Sequence, residues 1–324
     1  MGSFKKMNRK YHTGPFINGF MIAMGSLLLI IGTVNFIVDP FWYREKRVKY
    51  FNYLPINEIT NTAPLMNIAT LYSKGPNVKY SVIGTSHVLA GIKNCEYPEL
   101  EKVGVSAMSI QESQRVLQKI LLKATVSKTV FIEVCGINDI PQIRDVSFLN
   151  RIFSLRAFVY SIRTMKHNFL NDQQLKIELC APYTPNIDTI KSIDELNSKQ
   201  IPLRPVTSQE ILALKEMFKF KDGLKKDLQH QVVFFTSPLP QETMENEKYR
   251  LINQKLSEQM QQVVDSMQSA NHQIKFKFIN LADTKIGNEY KFSEGNFYEG
   301  WYDGTHFKPV VGDQVVKYLM GHSN

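Results

Sequence analysis

The chain has 324 residues, 43% of them hydrophobic and 21% charged, with a formal net charge of +9. That composition excludes an intrinsically disordered chain, and three cysteines are too few for a disulfide-built miniature fold. The basic excess favours anionic partners such as phospholipid headgroups or acidic envelope polymers. No zinc-finger spacing or RNP-type aromatic motif accompanies it, so nucleic acid is not an expected partner.

From Thr13 to Val38, 26 positions carry no charged side chain. A helix of that length rises ~39 Å, against about 30 Å of hydrocarbon core. A soluble core helix is rarely apolar all round at this length. A cleaved signal peptide has a shorter apolar region that ends at small residues. This run ends at Asn35-Phe36-Ile37-Val38-Asp39-Pro40-Phe41-Trp42-Tyr43, and its three aromatics read as an interfacial belt. The segment therefore reads as an uncleaved signal anchor. Lys5, Lys6, Arg9 and Lys10 precede it, while Arg44, Lys46, Arg47 and Lys49 follow, so flanking charge decides orientation weakly. A short tail before a large domain places residues 1–12 in the cytoplasm. The domain then lies on the outer side of a bacterial cytoplasmic membrane.

Residues 39–78 read as a connector with Pro40, Pro55, Pro64 and Pro76 and a short helix near Ala63–Tyr72. A strand–helix alternation follows. Strands are expected at Lys79–Ile83, Val103–Ala107, Thr129–Val134, Gln231–Phe235 and Lys275–Leu281. Helices are expected at Gln111–Ala124, Glu245–Ser269 and Pro309–Met320. This pattern implies an α/β domain over 79–324 with a mainly parallel sheet and helices on both faces. The rhythm breaks over about 141–230, where Ser154–Asn171 and Ser208–Phe220 have helical character. That stretch reads as an insertion, either a lid or partner-docking surface or a structural elaboration.

Ligands in open parallel sheets bind beyond the carboxyl ends of the strands. Four segments there carry chemistry: Gly84-Thr85-Ser86-His87, the region of Gly104, Gly136-Ile137-Asn138-Asp139, and Asp303-Gly304-Thr305-His306. Together they supply what acyl transfer needs. Ser86 is a weak nucleophile until a base, His306, takes its proton, and Asp303 fixes the imidazole tautomer. The Ser86 N–H, the Gly104 N–H and the Asn138 amide can hold the oxyanion. Thr85, His87 and Asp139 stand next to these groups as supporting residues.

These four blocks, in this order, resemble the SGNH (GDSL-like) hydrolase superfamily. The Gly-x-Asn-Asp block is matched in full by Gly136–Asp139, and the Asp-x-x-His block by Asp303–His306. The first block departs from the family pattern, with Thr85 in place of the usual Asp. In that respect it is similar to membrane-anchored members that modify cell envelopes, such as DltD and the SGNH partners of membrane-bound O-acyltransferases. The resemblance implies a flavodoxin-like three-layer domain behind one transmembrane helix. It also implies a serine-dependent O-acyltransferase or esterase acting on an envelope polysaccharide, teichoic acid or lipid-linked glycan. A polytopic membrane O-acyltransferase is the implied partner. The alternative is a non-catalytic envelope scaffold or polymer-binding protein on the same fold.

Blander readings exist for each residue. Ser86 can be a helix N-cap, Asp303-Gly304 a simple turn, and Asn138 the start of an Asx turn. Ser106 and Ser109 are spare hydroxyls without a motif. Cys95, Cys135 and Cys180 form no metal pattern, and one disulfide is possible outside the cytoplasm. No metal-ligand spacing and no phosphate-binding glycine loop is present, so no metal or cofactor is expected.

Overall fold

The computed structural model describes residues 13–40, 74–105, 107–134, 152–170, 204–218, 223–271 and 273–322, together with Ser192 and Glu195. The connector helix expected near Ala63–Tyr72 lies outside them. In chain order the elements are α1 (Thr13–Val38), β1 (Tyr80–Gly84), α2 (Ser86–Gly91), β2 (Leu100–Gly104), α3 (Ile110–Lys123), β3 (Thr129–Glu133), α4 (Leu155–Leu170), α5 (Ser208–Glu216), β4 (His230–Thr236), α6 (Gln241–Glu245), α7 (Glu247–Ser269), β5 (Ile274–Asn280), α8 (Phe297–Gly300) and α9 (Pro309–Gly321). The chain divides into two units: residues 1–54 with 145–177, and residues 55–144 with 178–324.

In the first unit, Pro15–Val38 of α1 is long and apolar enough to cross a membrane, with mean hydropathy 2.2. Most of its large side chains are exposed, Phe16, Ile22 and Leu29 among them. Its last turns pack on α4. Asn35 is buried there and has its amide satisfied. Its Nδ2 donates to the carbonyls of Ile152 (2.6 Å) and Ser154 (3.1 Å), and Ser161 Oγ donates to its Oδ1 (2.9 Å).

The second unit is built on a five-stranded sheet in the order β2-β1-β3-β4-β5, parallel throughout. Both faces are buried, which is why β1, β3 and β4 read as near-continuous apolar runs. Tyr80, Val82, Phe131, Val233 and Phe235 form one face, with Val88 of α2 and Val311 and Val315 of α9. On the other side, α3 and α7 lie against β1 and β5, and α5 bridges those two helices. The domain is thus a three-layer α/β arrangement.

The expected second strand, Val103–Ala107, is displaced. β2 runs Leu100–Gly104 and includes Glu101 and Lys102, both buried. Glu101 is matched by Lys128 Nζ (3.0 Å) and Ser81 Oγ (2.6 Å), so an interior network hid the strand behind two charges. The expected helix Glu245–Ser269 is α7, which starts at Glu247; Glu245 ends the short α6, and the Asn246 side chain between them caps α7 through the Lys248 N–H. The described parts of the expected insertion fall in both units, α4 with α1 and α5 with the sheet.

Helix α9 crosses α2 so closely that a Cβ on Gly312 would meet the carbonyl oxygen of Gly91. Because the obstacle is backbone, Gly312→Ala is expected to destabilise the domain by about 1–3 kcal/mol. A lower urea midpoint with an unchanged slope is the expected result.

Candidate active site

The order 2-1-3 makes the carboxyl end of β1 the switch point, where adjacent crossovers leave in opposite directions and a crevice opens. Thr85 and Ser86 follow β1 directly. The N-cap of α2 is Thr85, not Ser86: its backbone is extended, and its Oγ accepts the His87 N–H (3.4 Å). Ser86 is the first helical residue, and its hydroxyl is released from capping. Ser86 Oγ lies 2.9 Å from His306 Nε2.

His306 Nδ1 lies 2.9 Å from Asp303 Oδ2. Asp303 Oδ1 also accepts the backbone N–H groups of Thr305 (2.8 Å) and His306 (2.7 Å). The Asp-Gly turn and the Asp303–His306 pair are therefore one structure: the carboxylate that shapes the turn also orients the ring. Trp301 and Phe307, both fully buried, pair as an antiparallel bridge at the base of this loop. The side chains of His306 and Asp303 keep 19% and 15% of their exposure, so the pair is open to a reactant. Burial alone would raise the Asp303 carboxyl, but its hydrogen bonds and the His306 charge outweigh it and bring it down to about 2.

A second histidine–carboxylate pair lies under Ser86. Glu133, at the end of β3, is fully buried. Its Oε2 accepts the Thr85 N–H (2.7 Å) and Thr85 Oγ–H (2.9 Å). Its Oε1 accepts His87 Nδ1–H (2.7 Å) and the Ser237 hydroxyl, which follows β4. One carboxylate thus holds both neighbours of Ser86. The His87 ring lies 4.8 Å from the His306 ring, centroid to centroid. Burial would lower His87, but the Glu133 charge and hydrogen bond outweigh it and hold the ring above its ordinary 6.5. Burial likewise favours protonated Glu133, yet its donors, His87 first, hold it below 4.5. Between pH 4.5 and 6.5 both directions favour the ionised pair.

At the other end of α2, buried Lys102 donates to the carbonyls of Leu89 (3.1 Å) and Ile92 (2.5 Å). Burial lowers its ammonium to about 8.

Gly104 ends β2 opposite Gly84. A Cβ there would lie 2.7 Å from the backbone of Leu89, so its missing side chain seats α2 on the sheet. In the loop beyond it, Ala107 is left-handed at φ 51°, a conformation that disfavours any residue with a Cβ by ~1–2 kcal/mol. Ser109 is not a spare hydroxyl: it caps α3 in a capping box with Glu112. Ser106, Asn138 and Asp139 lie outside the described residues.

Sequence reasoning missed Glu133 and Ser237. The available signal was the acid inside the apolar strand Thr-Val-Phe-Ile-Glu-Val, whose histidine partner lies 46 residues away in sequence. Among the described residues no group of three or more His, Cys, Asp or Glu side chains is placed to hold a metal ion. Comparisons with protein-family models, curated proteins and solved structures find no match to the chain.

His87→Gln leaves Glu133 buried without a cation, and is expected to destabilise the fold by roughly 3–5 kcal/mol. The raised His87 contributes in full below 6.5, and its contribution is lost as pH rises through its folded value. The lowered Glu133 contributes in full above 4.5, and its contribution is lost as pH falls through its folded value. Chemical denaturation across pH should therefore show the largest gap between wild type and variant from pH 4.5 to 6.5, narrowing on both sides.

Proposed function

We propose that the chain is an SGNH-like serine acyltransferase or esterase, anchored in the bacterial cytoplasmic membrane and acting on an envelope polymer or lipid-linked glycan. One observation carries the reading: Ser86 Oγ, His306 Nε2 and Asp303 stand in hydrogen-bonded sequence at the switch point of a parallel sheet.

With Nδ1–H donated to Asp303, Nε2 is left to accept the Ser86 proton. Ser86 Oγ then attacks the acyl carbonyl, and the new C–O bond places negative charge on the carbonyl oxygen. The Ser86 N–H, at the first position of α2, is a donor for that charge, beside the Gly104 N–H and Asn138 amide inferred from sequence. Collapse breaks the bond to the leaving group, which takes its proton from His306. An acceptor hydroxyl or water then gives its proton to His306 Nε2 and attacks the acyl-enzyme. Ser86 Oγ leaves and recovers that proton. Hydrolysis and transfer share these steps; the anchor and the resemblance favour transfer, with a polytopic membrane acyltransferase supplying the acyl group.

Cys95 is disulfide-bonded, a state that oxidising compartments maintain, which supports an extracytoplasmic domain. The net charge of +9 supports an anionic surface or polymer nearby.

A fluorophosphonate probe on the full-length protein tests the reading. Wild type is expected to label at Ser86 and Ser86→Ala not at all. Asp303→Asn is expected to slow acyl transfer by roughly 10⁴-fold through loss of the tautomer. Absence of labelling in well-folded wild type, with full cellular function in Ser86→Ala, would replace the enzyme with the non-catalytic scaffold.

A further inference from the structure

Helix α4 has three kinds of surface. Ala157, Ser161 and Thr164 form a buried stripe of small side chains, and Ser161 joins it to Asn35 of α1. Turned away from that stripe, at helical spacing, stand Leu155, Val159 and Ile162, exposed by 68%, 48% and 44%. A third row carries Arg156 and Arg163, both exposed, with Arg163 over the Tyr160 ring at 5.4 Å. The helix contains no acidic residue.

The level at which α4 sits follows from α1. Counting from Thr13, about 20 residues at ~1.5 Å each cross a ~30 Å hydrocarbon core. That leaves the turn from Thr33 to Val38 in the headgroup region. Here Asn35 donates to the Ile152 and Ser154 carbonyls just before α4 and accepts from Ser161 within it, and one turn earlier Phe153 lies against Gly32, 2.7 Å from where a Cβ would stand. An amide at this depth avoids the hydrocarbon, and so does the helix fastened to it.

We propose that α4 is a second membrane contact: it lies in the headgroup layer of an anionic bilayer beside α1, with Leu155, Val159 and Ile162 in lipid and Arg156 and Arg163 at lipid phosphates. The occupant of the exposed row is lipid because the helix that carries it is fastened to the end of α1, and because the acid-free helix matches an anionic headgroup layer. Tyr160 and its arginine provide the amphipathic side chains that this layer selects. The inference rests on reading α1 as a span, and is independent of any chemistry at Ser86. It makes this part of the insertion a seat on the membrane rather than a lid.

Depth-dependent quenching by brominated lipids tests it, using full-length protein in vesicles of phosphatidylcholine and phosphatidylglycerol. Val159→Trp, Leu28→Trp and Lys255→Trp are each compared with the parent protein. The added emission of Val159→Trp should be largely lost to lipids brominated near the headgroup end of the chain. That of Leu28→Trp, about 7.5 Å inside the boundary at Thr33, should be lost to lipids brominated midway along the chain, and that of Lys255→Trp should be unaffected. Charge reversal at Arg156 and Arg163 should weaken quenching of Val159→Trp only when phosphatidylglycerol is present; independence from anionic lipid removes the headgroup part of the proposal. Equal protection of Val159→Trp and Lys255→Trp overturns it, whether water or a protein covers the row. Quenching of Leu28→Trp then tells whether the anchor itself stands. Serine labelling is read separately, so the two proposals fail separately.

Discussion

A carboxylate sealed from water must be met by donors, and Glu133 meets four of them around one strand–helix turn. Two come from Thr85, one from His87 and one from Ser237. Three strands are tied together in this way: the turn after β1, the end of β3 and the segment after β4. The charge cannot be removed cheaply, because its desolvation is already offset by bonds that no water can replace. Ser86 contributes nothing to this network, yet it sits between two residues that do. Its position is therefore set by the burial of a neighbouring charge rather than by its own interactions.

The loop that carries His306 is fixed by different means. Its ends are apolar, with Trp301 and Phe307 sunk in the core, and its interior is shaped by Asp303 acting on its own turn. Ser86, held by electrostatics, and His306, held by hydrophobic anchors, meet at 2.9 Å.

The apolar runs of β1, β3 and β4 were legible because parallel strands buried on both faces leave an uninterrupted hydrophobic signature. The same rule hid β2. Glu101 and Lys102 break its run, and their partners, Lys128, Ser81 and the carbonyls of α2, lie far away in sequence. The Asp303–His306 spacing was readable as a local motif, since one carboxylate reaches backbone and ring within four residues. Ser86 was readable from its place after a strand, though its competition with Thr85 for the capping position is settled only by backbone angles. The Glu133 pair was not readable as a pair, because 46 residues separate His87 from its partner. The seat of α4 on α1 was out of reach for the same reason: Asn35 and Ser161 are 126 residues apart, and an asparagine near the end of an apolar helix has many explanations.

Helix α2 has only six residues, too few to hold itself in water. A buried carboxylate stands at its amino end and a buried ammonium at its carboxyl end, each matching the sign that the helix ends prefer. With both termini held, the backbone under Ser86 has no soft hinge. The freedom left to Ser86 is a single torsion, the χ1 angle of its own side chain. Rotations of that kind pass in picoseconds to nanoseconds for exposed groups. Turnover at typical enzyme rates takes milliseconds or longer. Under the proposed mechanism the hydroxyl therefore samples its orientations many times within each cycle, and its encounter with His306 is an equilibrium rather than a gate.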